Sequence, residues 1–268
     1  AEHLRRAQGL DRALTTERAL SETVRILASS ARKKQKGREA HGIVPSSDRI
    51  FGRSGVRSQA GDLEGALHDL LLADLLAMEF GTWRTPRWAI LSEVGSILLE
   101  LGRPQEAIPV LDRGIAMKPN MNDPYVNRGL AKYQVGDHHG AISDYSRAIE
   151  VDPDCSVAHE NRCAVYTETG QLELALADAT RAIALNPSPR GYDNRGNVKA
   201  LLGDLDGALA DHRRATKLDP HFFPAYNNLA DSLADMGDRD GALAAYDRAL
   251  ELSPGWDVAL RNRALLKA

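Results

Sequence analysis

Asn122–Cys155 reads NDPYVNRGLAKYQVGDHHGAISDYSRAIEVDPDC. Tyr125, Gly129, Tyr133, Ala141, Tyr145 and Ala148 fall on two apolar stripes at helical spacing. Gly136 and Asp137 break the run between them, as a short turn does. Pro153 ends the second helix, because proline has no N–H to continue the ladder. The small residues Gly129 and Ala141 let the two backbones approach. The segment therefore predicts a helix hairpin with one apolar side left open, which neighbouring copies must cover.

The neighbours are present. Pro119, Pro153, Pro187, Pro220 and Pro254 are spaced by 34, 34, 33 and 34 residues. Gly102, Gly136, Gly170, Gly203 and Gly237 keep the same beat, as do Ala107, Ala141, Ala175, Ala208 and Ala242. A period of this size marks stacked copies of one supersecondary unit.

These residues resemble the tetratricopeptide repeat, which carries bulky residues at positions 4, 7, 11 and 24, small ones at 8, 20 and 27, and proline at 32. Trp88–Met121 supplies Leu91, Val94, Gly95, Leu98, Ala107, Leu111 and Pro119. Ser156–Ser188 supplies Cys163, Ala175, Ala182 and Pro187, and Pro189–Phe222 supplies Tyr192, Gly196, Ala208, Ala215 and Pro220. Phe223–Trp256 supplies Tyr226, Leu229, Ala230, Leu233, Ala242, Tyr246, Ala249 and Pro254. The resemblance implies an all-α fold, an α-solenoid of stacked helix-turn-helix units forming a right-handed superhelix. The expected organisation is an N-terminal helical extension and basic linker over 1–46, a degenerate copy over 47–80 and an insertion over 81–87 that loosens or kinks the stack. Five repeats follow (88–121, 122–155, 156–188, 189–222 and 223–256), then a capping helix over 257–268. Ile50, Ser54, Gly61, Ala66, Leu70 and Ala73 carry the degenerate copy.

One regularity is internal to the chain. Position 7 is arginine and position 23 is aspartate in Arg53/Asp69, Arg128/Asp144, Arg162/Asp178 and Arg195/Asp211. Where one is lost the other is lost too, as in Val94/Val110 and Leu229/Ala245. Coupled change predicts contact across the hairpin, since a half-buried arginine is costly without its carboxylate.

Charge is uneven. Residues 1–57 hold 13 Lys/Arg against 6 Asp/Glu, and residues 58–268 hold 21 against 31. Leu10, Leu14, Leu20, Val24 and Leu27 predict a helix, followed by the basic cluster Arg32, Lys33, Lys34, Lys36 and Arg38. Without interleaved aromatics this cluster reads as a solvated linker ahead of a nucleic-acid contact. No run of about 18 apolar residues suggests a membrane span, and no signal-peptide pattern opens the chain. Ala1 is not a start methionine, so the chain reads as trimmed, processed or partial. Cys155 and Cys163 form no disulfide framework; Cys163 is expected as a buried thiol in a reducing, intracellular setting, soluble or peripheral in a complex.

Asn127, Asn161, Asn194, Asn228 and Asn262 all stand at position 6 of a first helix. First helices of the family line the concave face, so these amides form a column along the groove. An amide both donates and accepts and can match a peptide main chain. The column is similar to the asparagine ladder of the O-GlcNAc transferase family, which grips a peptide backbone. The alternative is that each asparagine bonds to the neighbouring repeat. Expected groove neighbours are Asp123, Glu160, Glu168, Asp193, Asn197, Asp231 and Asp235, with Arg190 as the main opposing charge and Tyr133 as an aromatic contact or a packing residue. Such a groove prefers a neutral or basic extended segment. The carboxylate clamp of chaperone-binding relatives is absent: position 5 holds Ser92, Val126, Glu160, Asp193 or Asn227, and no copy has arginine at position 6.

No phosphate loop, His-Glu-x-x-His or paired-cysteine motif appears. His138 and His139 read as turn histidines and His212 as a packed one. The expected function is a non-catalytic protein-protein interaction scaffold with no cofactor and no metal. The rivals are a structural subunit or assembly factor of a large complex, and the recognition domain of a larger enzyme such as a glycosyltransferase.

Overall fold

The computed structural model describes residues 47–80 and 84–267. The helix and basic linker expected over 1–46, and residues 81–83 of the insertion, lie outside the described residues. The described residues form thirteen helices and no strand. They fall into two compact units that divide in sequence at Val135/Gly136.

The first unit holds α1 (Ser47–Gln59), α2 (Leu63–Phe80), α3 (Arg87–Glu100), α4 (Pro104–Met117) and α5 (Asn122–Gln134). The second holds α6 (His138–Val151), α7 (Ser156–Glu168), α8 (Leu172–Leu185), α9 (Pro189–Leu201), α10 (Leu205–Leu218), α11 (Phe223–Asp235), α12 (Arg239–Leu252) and α13 (Asp257–Lys267). Each unit is a stack of antiparallel hairpins, and every helix packs on the next within its unit. The division falls between the two helices of Asn122–Cys155, so α5 belongs to one unit and α6 to the other.

The core of the first unit is aliphatic: Leu70, Leu76, Ile90, Val94, Ile97 and Leu111 are essentially inaccessible. Fully burying one such side chain stabilises by about 1.5–3 kcal/mol. A Cβ on Gly95 would stand 2.5 Å from Leu111, which is why a small residue sits there. α2 packs on α3 despite the insertion, and the buried Asp74 accepts from Arg87 (2.5 Å) and Arg113 (3.0 Å) across that joint. The core of the second unit uses smaller side chains, Cys163, Ala175, Ala179 and Val198 in one cluster and Ala230, Leu233, Ala242 and Tyr246 in another. Burial pushes the Cys163 thiol up to about 12, in keeping with its place in the packed core.

The turns show a rule that the period alone does not reveal. Gly203 adopts φ 86°, a conformation only glycine takes cheaply, and the chain re-enters a helix through Asp204. Asp204 accepts from the N–H of Gly207 at 3.0 Å, capping α10. A Cβ on Gly207 would lie 2.1 Å from that carboxylate. The pairs Asp62/Gly65, Asp137/Gly140 and Asp238/Gly241 repeat the geometry. Where the cap is Arg103 or Gln171, the residue three further on is Glu106 or Leu174. Cap and glycine thus change together because they occupy one space.

Candidate peptide-binding groove

Within the second unit the first helices α7, α9, α11 and α13 touch one another in sequence, whereas the second helices have no comparable contact. A stack whose first helices converge bends toward them, so they line its inner side. The arginine–aspartate pairs stand across the hairpins and fix their geometry. Arg162 grips Asp178 through Nε (2.7 Å) and Nη2 (2.8 Å), and Arg195 grips Asp211 at 2.8 and 2.7 Å. Arg53 does the same to Asp69 in the first unit, at 2.7 and 2.5 Å. Arg128 bonds Asp112 at 2.5 Å within the first unit; its sequence partner Asp144 belongs to the second. Two further groups join these pairs: His159 reaches Asp178 at 2.8 Å and Lys199 reaches Asp211 at 2.7 Å.

The expected site residues of the second unit come together along the first-helix layer. Asn161 is buried, and its Oδ1 accepts from Arg190 Nη2 at 3.0 Å. Asn194 donates through Nδ2 to the Glu160 carbonyl at 3.4 Å. Asn228 donates to both Asp193 oxygens at 3.0 and 3.1 Å, and Asn262 donates to Asp231 at 3.2 Å. From α9 onward, each position-6 amide thus reaches back to the preceding repeat. Asn127 and Tyr133, both half-buried, lie on α5 of the first unit.

The acids of this layer are not equally open. Glu160 and Asp193 are buried, Asp231 is half-buried, and Asp123, Glu168 and Asp235 are exposed. Ser188 donates to Glu160 at 2.5 Å. Burial pushes the Asp193 carboxyl up to about 6, with the Asn228 bond opposing it. Burial likewise raises Asp231, against bonds from Tyr246 and Asn262.

Second helices also send polar tips into this seam, a role the sequence pattern does not announce. His212 is 1% exposed and bridges Ser232 (2.9 Å) and Asn197 (3.2 Å), and burial lowers its imidazole to about 4. The Tyr246 hydroxyl donates to Asp231. Both pairs join position 24 to position 9: His212 with Asn197, Tyr246 with Asp231. Where position 9 is Ala164, position 24 is Ala179. The remaining copies pair Leu130 with Tyr145 and Ser96 with Leu111, so the sequence carries no consistent signal for these contacts.

Family models of the tetratricopeptide repeat match residues 90–121, 126–190 and 223–256. Solved structures of the same fold include TTC0263, a thermophilic TPR protein of Thermus thermophilus, at 24% identity and TM-score 0.58 over 67% of this chain and 98% of that one. YrrB, a TPR protein with an unusual peptide-binding site, matches at 21% identity and TM-score 0.51, covering 65% of this chain and 91% of its own. The Cut9–Hcn1 hetero-tetramer of the APC/C matches at 11% identity and TM-score 0.74, over 95% of this chain and 48% of that one. No curated protein matches the sequence. The hairpin stacks and their bonded first-helix layer define an α-solenoid. The chain is a tetratricopeptide-repeat protein.

Proposed function

We propose that the protein is a non-catalytic protein-interaction scaffold that holds an extended segment of a partner against the first-helix layer of its second unit. The asparagine column grips the main chain of that segment. The supporting observation is that inter-repeat bonds orient the amides while using only one pole of some. Asn161 spends its carbonyl on Arg190 and keeps its N–H groups, whereas Asn194 and Asn262 spend N–H and keep Oδ1. Asn228 has both poles engaged, by Asp193 and by Asn227. A held amide loses little entropy when a guest binds, so pre-orientation favours affinity. Asn197 flanks it within the second unit, and Asn127 and Tyr133 offer contacts of the same kind on α5 of the first unit.

The test is affinity for an unstructured, fluorescein-labelled Gly-Ser peptide. Removing two main-chain hydrogen bonds of about 1 kcal/mol each makes Asn161→Ala/Asn194→Ala bind roughly thirtyfold more weakly. Unchanged anisotropy in the double variant removes the column from the function.

A further inference from the structure

Arginine stands at position 26 of every copy from Trp88 to Trp256: Arg113, Arg147, Arg181, Arg214 and Arg248. All but one are held by a carboxylate. Arg113 reaches Asp74 at 3.0 Å, and Arg147, Arg181 and Arg248 reach Glu150, Asp154 and Glu251 at 2.8 Å. Arg214 is the exception. The residue one turn further on is Glu150 or Glu251 in two sister helices, but Lys217 on α10. No carboxylate among the described residues meets Arg214 or Lys217; the guanidinium lies over the Tyr192 ring, 6.0 Å from its centre.

A second departure stands beside the first. Position 25 faces the arginine at position 7 of the next copy: Arg128 donates to Asp112 (2.5 Å), Arg162 donates to Ser146 (2.8 Å) and Arg263 lies 2.5 Å from Asp247. On α10 position 25 is Arg213, and the next position 7 is Leu229. The acceptor has become a cation, and the cation it would serve is gone. Arg213, Arg214 and Lys217, all exposed, therefore stand at i,i+3 and i,i+4 spacings where like charges repel. The helix dipole favours Lys217 in the last turn but falls off before Arg213. This arrangement weakens the helix that carries it, where sister helices place attractive pairs.

We propose that Arg213, Arg214 and Lys217 form a docking surface on the exposed side of α10 for an acidic segment of a protein partner. Guanidinium forks match carboxylates, and the uncompensated charge gives the complementarity. Leu218, one turn beyond Arg214 and 39% exposed, offers an apolar contact that suits a protein side chain better than a phosphate backbone. Residues 58–268 hold 21 Lys/Arg against 31 Asp/Glu, so the surroundings repel a long polyanion while the patch holds a few carboxylates. The surface lies on a second helix and does not rest on the groove reading.

The experiment uses two fluorescein-labelled Gly-Ser peptides whose central leucine is flanked by glutamates or by glutamines, titrated into the full chain. The glutamate probe binds the wild type about three- to tenfold more tightly than the glutamine probe at low salt. High salt abolishes that advantage, and so do Arg213→Gln/Arg214→Gln and Lys217→Glu. The last of these restores the arrangement of Arg147 with Glu150 on an exposed face, so it melts close to the wild type and separates binding from folding. Equal affinity of the two probes for the wild type overturns the proposal. A glutamate advantage that survives both variants belongs to another cationic stretch, such as Arg32–Arg38, and also overturns it. Asn161→Ala/Asn194→Ala leaves the advantage intact; its loss there puts the acidic segment in the groove and removes the separate surface. A single-stranded oligothymidylate that binds more tightly than the glutamate probe, and is released by the same variants, makes this a nucleic-acid surface and contradicts the assignment.

Discussion

Arg162→Ala lowers the stability of the second unit by about 3 to 5 kcal/mol, the largest loss expected from a single truncation here. Asp178 is 5% exposed and takes two bonds from that guanidinium. Without it a buried carboxylate keeps only His159. Arg162 also donates to Ser146 at 2.8 Å, so α6, α7 and α8 loosen together. The cost belongs to the stranded charge more than to the pair: Arg162→Ala/Asp178→Asn recovers most of it. Arg195→Ala costs less, because Lys199 stays 2.7 Å from Asp211. Urea midpoints of the four proteins check the order, and equal midpoints for wild type and Arg162→Ala contradict it.

The second large effect is masked in the wild type. Asp193 is raised to about 6 by burial, so its contribution to stability is full below its unfolded pKa near 3.8 and is lost as pH rises through 6. His212 is lowered to about 4 by burial, so its contribution is full above 6.5 and is lost as pH falls through 4. The two groups lie 4.0 Å apart and titrate over the same window with opposite sign. The wild type is therefore nearly flat from pH 6.5 to 4 as far as this pair is concerned. Asp193→Asn keeps an acceptor for Asn228 and exposes the histidine alone: the unit becomes acid-labile, losing about 3 kcal/mol across that range. His212→Leu exposes the aspartate, and stability rises as pH falls from 6 to 4. Leucine fits this position, as Leu111 does against Gly95 in another copy. Denaturation at pH 7 and pH 4.5 reads both, and parallel pH profiles for all three proteins contradict the pairing.

The fold was legible because its punctuation is chemical. Gly136, Gly170, Gly203 and Gly237 all take positive φ, and Pro153, Pro187, Pro220 and Pro254 all follow a second helix. The arginine–aspartate pairs were legible for a different reason: the chain repeats the experiment, losing both members or neither. Charge on the inner face was less legible. Glu160 and Asp193 count as groove acids in the sequence, yet position 5 turns them into the joint between first helices, where both are buried. Sequence position gives the helix face; the neighbouring repeat decides which part of that face stays open. The polar roles of His212 and Tyr246 were hidden because both sit on second helices and only their tips enter the seam.

The central claim is that side-chain amides on the inner layer hold the guest. Side-chain NH2 resonances of the asparagines, followed by NMR while the Gly-Ser peptide is titrated, test it most directly. The account predicts that the Asn161 and Asn194 signals move on saturation, with Asn228 moving least because both of its poles are already engaged. A saturated complex in which these amides stay still while residues of α8, α10 or α12 shift contradicts it.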